Sequence, residues 1–246
     1  MSNNLIGFLM DESGSMGAGH SQGEPAMDAA NLFMHYQKTR VDDCQLVFAT
    51  FHSNYYNKYQ GSIFDMPEIT SSLYMPQGGT ALWDSILLMY EDMVAAVAKY
   101  KPAHVTWILH SDGGEPWYGT AQNALDKINK ARDAGWDVVW MAELRSYDTI
   151  LASWDLQFPD DHIIAYTPGN SRGFEAVAIE VLESVITNKI DTTNAQKLVT
   201  AKFTAAERTQ FDCWLQVARE QAKVTGRTRK IWTKKGVIPS HTRTND

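Results

Sequence analysis

The chain has 246 residues, 44% of them hydrophobic and 21% charged, which suits one α/β domain with a sizeable core and excludes a disordered chain. The N-terminal Met-Ser-Asn-Asn lacks the basic region of a signal peptide, and no apolar run reaches the length of a membrane span. The net charge of −7 is uneven: 190–246 carries 11 basic and 5 acidic residues, a balance of +6, leaving 11 basic and 24 acidic residues, a balance of −13, in 1–189.

The charge split marks the expected boundary between a main domain, 1–189, and a C-terminal extension, 190–246. The basic extension is expected to fold back on its own acidic domain, with an acidic partner as the alternative. Cys44 and Cys213 lie far apart without a CxxC neighbour, so both are expected to be buried, reduced thiols of an intracellular protein.

In chain order, Leu5–Met10 is a continuous apolar run, as expected of a central strand covered on both faces. A loop rich in Gly and Ser follows. Glu24-Pro25 opens a helix to about Lys38, with Pro at the first helical position and an acid near the positive end of the dipole. Gln45–Phe51 is a second strand. Tyr55–Tyr59 and Ser62–Met66 have the pattern of a hairpin or edge strand. Thr80 is placed to cap a long helix, Ala81–Lys99, whose apolar residues recur at three- and four-residue spacing.

Lys101-Pro102 ends that helix, and Val105–Leu109 is the next buried strand. Thr120–Ala134 reads as a helix closed by Gly135, Trp136–Ala142 as a strand, Tyr147–Trp154 as a short helix, Ile163–Tyr166 as the last strand, and Gly173–Thr187 as the last helix of the domain. Strands alternating with helices predict a three-layer, doubly wound, mainly parallel sheet. Thr204-Ala-Ala-Glu207 is a capping box for a helix to about Val224 with Phe211, Trp214, Leu215 and Ala218 on its apolar face. The remaining 225–246 is basic and has little periodicity.

Three stretches carry the chemistry: Asp11-Glu12-Ser13-Gly14-Ser15-Met16-Gly17, Gly78-Gly79-Thr80 and Ser111-Asp112-Gly113. Asp11 and Asp112 close predicted strands, Thr80 opens a helix, and ligands of such sheets collect at strand carboxyl ends. All five candidate ligands, Asp11, Ser13, Ser15, Thr80 and Asp112, are hard oxygen donors that suit magnesium, with manganese or calcium as alternatives. The hydroxyls supply neutral oxygens while Asp11 and Asp112 balance charge, directly or through water. So few anionic ligands leave the ion electrophilic and open to a partner's carboxylate.

These three stretches closely resemble the metal-ion-dependent adhesion site of von Willebrand factor A domains. The resemblance covers about residues 4–189 and includes a short antiparallel edge strand, expected near Ser62–Met66. Gly79-Thr80-Ala81-Leu82-Trp83-Asp84, Gly135–Val139 and Gly169–Val177 are similar to the intracellular, stand-alone branch of bacteria and their phages. The resemblance implies that Ser13, Ser15 and Thr80 bind the ion directly and Asp11 and Asp112 through water. It implies a cytoplasmic protein, of a bacterium or a phage-infected cell, that binds a protein partner through an Asp or Glu carboxylate. Ser111 departs from the family's usual threonine, and nothing from Ile190 onward matches the family.

Other chemistries fit less well. A haloacid-dehalogenase phosphatase needs an aspartate at position 13, and a nucleophile elbow needs a Gly-x-Ser-x-Gly that neither Ser13 nor Ser15 provides. There is no P-loop, and the glycine spacing around Gly14–Gly19 is wrong for a dinucleotide loop. His20 and His110 border the candidate site but read as structural or merely exposed, and Glu115 and Asp84 are outer candidates. The chain is therefore expected not to be an enzyme. The alternatives are a hydrolase using the same ion, nucleic-acid binding by Arg227, Arg229, Lys230, Trp232, Lys234 and Lys235, and an assembly role in a phage particle.

Overall fold

The computed structural model describes residues 3–17, 24–40, 43–113, 121–143, 148–158, 163–166, 204–224, 230–233 and 236–239. Six strands form one sheet: β1 (Asn4–Asp11), β2 (Cys44–Phe51), β3 (Tyr55–Ser62), β4 (His104–Ser111), β5 (Asp137–Glu143) and β6 (Ile163–Tyr166). Their order is β3-β2-β1-β4-β5-β6, with β3 antiparallel to β2 and every other pairing parallel. The chain runs outward from β1 to β2 and β3 and then returns to the opposite side of β1 as β4. The switch point of the sheet thus lies between β1 and β4, where α/β sheets leave a crevice for ligands.

Every residue of β1 is buried, which is why it reads as an unbroken apolar run. Its side chains alternate between two cores. Leu5 and Leu9 join Val47, Trp107 and Trp140 under the helices α2 (Leu82–Tyr100), α3 (Ala121–Asp133) and α4 (Asp148–Asp155). Ile6, Phe8 and Met10 join Leu46, Phe48, Ile108 and Val139 under α1 (Glu24–Arg40). The three-layer architecture expected from the strand–helix alternation is present.

Local signals explain most boundaries. Lys101 ends α2 in the left-handed conformation, its amide bonded to the Val97 carbonyl at 2.9 Å. Gly135 closes α3 at φ +83°, a conformation that costs a side-chain-bearing residue more. The edge strand differs from expectation. It is a single strand, Tyr55–Ser62, paired with β2 from Phe51↔Tyr55 to Gln45↔Ser62, and Ile63–Asp65 is a 3-10 turn. Ser62 makes that turn, its hydroxyl accepting the Phe64 amide at 3.4 Å. Ser62–Met66 therefore does not supply the edge strand.

The C-terminal helix α5 (Ala205–Val224) starts where the capping box places it, with the Thr204 carbonyl accepting the Arg208 amide at 3.0 Å. Ala218 is fully buried in the α2–α4 core, Trp214 and Leu215 are half-buried against it, and α5 contacts α4. Helix α5 of the extension thus packs on the main domain, and does so through apolar side chains. The stretch read as aperiodic contains an antiparallel pair, β7 (Lys230–Thr233) and β8 (Gly236–Pro239), which joins Ile231 to Ile238 and Trp232 to Val237. Branched and aromatic residues on both sides of a short connection favour such a pairing. The predicted helix Gly173–Thr187 lies outside the described residues. No described helix is long and apolar enough to cross a membrane.

The two cysteines part company. Cys44 is buried and its thiol is pushed up to about 12, first by burial and then by the Asp43 charge, whereas Cys213 is exposed, contrary to the expectation that both are buried. Because the thiolate is the reactive form, a thiol reagent at pH 8 is expected to label one cysteine in the native chain and two in denaturant. Fast labelling of both in the native chain would contradict the packing of Cys44 described here.

Candidate metal centre

Asp11 is the last residue of β1, fully buried, with its carboxylate held at both ends. Oδ1 accepts the Ser13 amide at 2.8 Å and Oδ2 accepts the Ser111 hydroxyl at 2.6 Å. The first bond closes the tight turn that brings Ser13 back beside Asp11. The second ties β1 to the end of β4, so that Asp11 and Asp112 share the switch-point crevice. After Ser13 the chain makes a 3-10 turn, Gly14–Gly17, and the hydroxyls of Ser13 and Ser15 stand 3.1 Å apart. Ser13 is buried and Ser15 exposed, so the pair faces solvent from the crevice rim.

The second stretch is fastened to the first by backbone bonds. Gln77 donates to the Glu12 carbonyl at 2.8 Å and Gly14 donates to the Gly78 carbonyl at 3.2 Å. The Tyr74 hydroxyl reaches the Asp11 carbonyl at 2.8 Å. Thr80, two residues beyond Gly78, is buried to 6% exposure. It does not cap the following helix: α2 begins at Leu82 with Ala81 at the cap position and no side-chain cap bond. The Ala81 amide is held instead by the His52 carbonyl at 2.6 Å, which leaves this loop positioned by β2's exit rather than by the helix.

Asp112 follows β4 and is 4% exposed. Its backbone carbonyl accepts the Thr149 hydroxyl from α4, and the next residue, Gly113, donates its amide to the Ser111 hydroxyl at 3.0 Å. The proximity of the two aspartates has an electrostatic signature. Burial, and then the Asp112 charge, push the Asp11 carboxyl up to about 7 against the lowering effect of the Ser111 and Ser13 hydrogen bonds. A cation beside them removes that repulsion.

The donor set fits a hard divalent ion. Adjacent oxygens of an octahedron with metal–oxygen distances near 2.1 Å are separated by about 3 Å. The Ser13–Ser15 separation of 3.1 Å matches that edge. Among the described residues no group of three His, Cys, Asp or Glu side chains could hold a metal, so softer or carboxylate-rich metal chemistry has no competing location there. Both Asp11 oxygens accept a hydrogen bond that fixes the loop.

The structure brings Asp11, Ser13, Ser15 and Asp112 to one end of the sheet and anchors the Thr80 loop against them. Of the outer candidates, His110 packs edge-to-face on Phe8 with ring centroids 6.4 Å apart and belongs to the core. Asp84 lies in the first turn of α2, as the dipole alone explains. His20 and Glu115 lie outside the described residues. Sequence reasoning missed Glu12, Thr50, Tyr74 and Thr149. The one available signal was a second acid, Glu12, inside a turn otherwise built of small residues.

Gly78 sits at φ +67°, and a Cβ added there would lie 2.8 Å from the Ser53 hydroxyl, which itself holds the Gly79 amide at 3.0 Å. Gly78→Ala is expected to destabilise the fold by about 1–2 kcal/mol. It should also weaken divalent-ion binding, because the displaced carbonyl is the one that holds Gly14. Urea unfolding and a manganese titration check the two effects separately.

No family model matches the chain, and no curated protein matches it. Solved structures do. The vWF domain of the type V pili tip protein Mfa5 from Porphyromonas gingivalis superposes with a TM-score of 0.58 at 10% identity, over 76% of this chain and 96% of that one. The pilus adhesin SpaC from Lactobacillus rhamnosus GG gives 0.58 at 16% identity, over 76% of this chain and 30% of that one. Proximal thread matrix protein 1 from the mussel byssus gives 0.55 at 14%, over 74% of this chain and 46% of that one. The chain therefore spans less than half the length of the last two. At these identities the likeness defines the fold, and the fold is that of a von Willebrand factor A domain.

Proposed function

We propose that the chain is a metal-dependent protein-binding module in which Ser13, Ser15 and Thr80 hold a magnesium ion directly and Asp11 and Asp112 hold it through water. The observation that carries this reading is the 3.1 Å hydroxyl pair of Ser13 and Ser15 beside the buried, mutually repelling carboxyls of Asp11 and Asp112. When bound, the ion supplies a Lewis-acidic position for a further oxygen. The chain's own residues fix that position: Ser111 and the Ser13 amide lock Asp11, Thr149 steadies the Asp112 backbone, and the exposed Ser15 keeps the site open to solvent.

A partner's Asp or Glu carboxylate is the natural occupant, since the two carboxylates of the site do not by themselves satisfy a hard six-coordinate ion. The role is binding rather than catalysis: Asp11, the most buried acid of the site, spends both oxygens on the loop and is not placed to move a proton. We assign this role to 1–189, with 190–246 as an appended element that packs on α4 through α5. Two cysteines without a disulfide suit a reducing compartment, in keeping with a cytoplasmic module of a bacterium or an infected cell.

Affinity capture of partners from the native cell, with and without EDTA and with magnesium restored, tests the reading. Capture that depends on the ion and returns with magnesium supports it. Capture indifferent to chelation sinks the metal mechanism while leaving the fold untouched.

A further inference from the structure

We propose that Glu12 is a positioning residue of the metal centre, holding the loop that carries Thr80 against the loop that carries Ser13 and Ser15. The proposal rests on the metal reading above and names a residue that the site's ligand pattern leaves unspecified. Glu12 lies between two candidate ligands, yet at 2% exposure its side chain is buried and committed elsewhere. Oε1 accepts the Thr50 hydroxyl of β2 at 2.8 Å and stands 3.6 Å from the Lys58 ammonium of β3. Oε2 accepts the Met75 amide at 3.2 Å. Its own amide donates to the Phe51 carbonyl at 2.8 Å, and its carbonyl accepts the Gln77 amide at 2.8 Å.

One residue thus joins the ends of β1 and β2, the middle of β3 and the segment Met75–Gln77, which reaches Thr80 three residues later. Burying a carboxylate is costly unless it is paired and hydrogen-bonded, and an apolar side chain of similar size would fill the space without that cost. What the carboxylate adds is direction: charge-assisted bonds to a hydroxyl and a backbone amide fix where the loop sits. The edge strand has a feature that fits this role. Phe48 faces Tyr59 and Ala49 faces Asn57, so Lys58 is an extra residue in β3 without an opposite in β2. Bulges of this kind re-aim a side chain, and the residue at the bulge is the one whose ammonium neutralises Glu12.

The test is a double-mutant cycle on the full chain, read by calorimetric titration with manganese and by thermal unfolding in EDTA. Glu12→Gln keeps the size but removes the charge that faces Lys58 and strengthens the bonds to Thr50 and Met75. It is expected to weaken manganese binding about 10-fold, as losing a residue that supports metal ligands does. Thr80→Ala is expected to weaken it by about as much. If Glu12 works by placing Thr80, the double variant binds about 10-fold more weakly than wild type, not about 100-fold, because Thr80 is already misplaced.

Additive losses, or a Glu12→Gln affinity within about twofold of wild type, overturn the positioning role, whatever happens to the melting temperature. Should Glu12→Gln fail to fold, Thr50→Val removes one of the same bonds and leaves the carboxylate. A smaller loss that is again non-additive with Thr80→Ala supports the proposal, and an additive one overturns it. Wild-type protein that binds no manganese removes the metal reading itself, an outcome distinct from failure of the cycle.

Discussion

Asp112→Ala removes divalent-ion binding, and with it ion-dependent partner capture, without lowering the stability of the chelated chain. Asp112 is one of the two carboxylates among the five candidate ligands, and its loss removes half of the negative charge that they offer the ion. The expected loss in manganese affinity is about 100-fold, the upper end of the range for groups that act on a metal through its ligands, because a full charge goes with it. One bond that anchors this loop uses the Asp112 backbone carbonyl, which alanine retains for the Thr149 hydroxyl.

The electrostatics push the same way. Asp112 is one cause of the raised Asp11 carboxyl, so its removal relieves repulsion in the ion-free protein. Ser13→Ala is the companion variant. It deletes a hydroxyl ligand but keeps the Ser13 amide that holds Asp11 Oδ1, so it should weaken manganese binding about 10-fold, as Thr80→Ala does, and keep the fold. For Asp112→Ala, a chelated thermal midpoint equal to or above wild type together with the larger loss of manganese binding is the expected result. A variant that still binds manganese with wild-type affinity would remove Asp112 from the site.

Much of this arrangement was written locally in the chain. β1 and β4 announce themselves because both faces of a central parallel strand are covered, so their middle residues are apolar apart from Thr106. Asp11, Ser13 and Ser15 lie at alternate positions of one turn, and Asp112 lies at a strand end, so their convergence needed only the order of the strands. Thr80 was read for a second role that the structure does not give it. Threonine is a good helix cap in general, but here the Ala81 amide is taken by the His52 carbonyl, a partner 29 positions away.

What could not be read depends on pairings distant in sequence. Glu12 meets Thr50 across 38 positions and Met75 across 63, and neither partner carries a mark in an apolar strand or an irregular loop. The bounds of the edge strand were misplaced for a similar reason. Tyr55–Ser62 has no clean apolar alternation, because no residue on either of its faces is fully buried and an extra residue at Lys58 shifts the register midway. Its partner, β2, was named correctly as a strand, but nothing local says that the chain turns straight back onto it.

Phe8→Ala is expected to lower the unfolding free energy by about 3–5 kcal/mol, a large share of the roughly 5–15 kcal/mol that holds a domain together. Phe8 is fully buried in the middle of β1, with Phe33 of α1 at 5.5 Å and Phe48 of β2 at 5.9 Å, both edge-to-face. His110 of β4 meets it at 6.4 Å, one residue before the serine that holds Asp11. Truncation opens a cavity where four elements meet, and each lost aromatic pair adds to the transfer cost. Phe8→Leu, which keeps most of the volume, should cost much less. Urea unfolding in EDTA reads the effect directly: the midpoint falls while the slope holds, since the surface exposed on unfolding is nearly the same. A loss under about 1 kcal/mol for Phe8→Ala would mean that this face is not packed as described. The contrast with Asp112→Ala is the informative comparison. The core variant loses stability whether or not the ion is present, and the ligand variant loses the ion while keeping stability. Two such opposite outcomes would separate what holds the sheet together from what the end of the sheet is for.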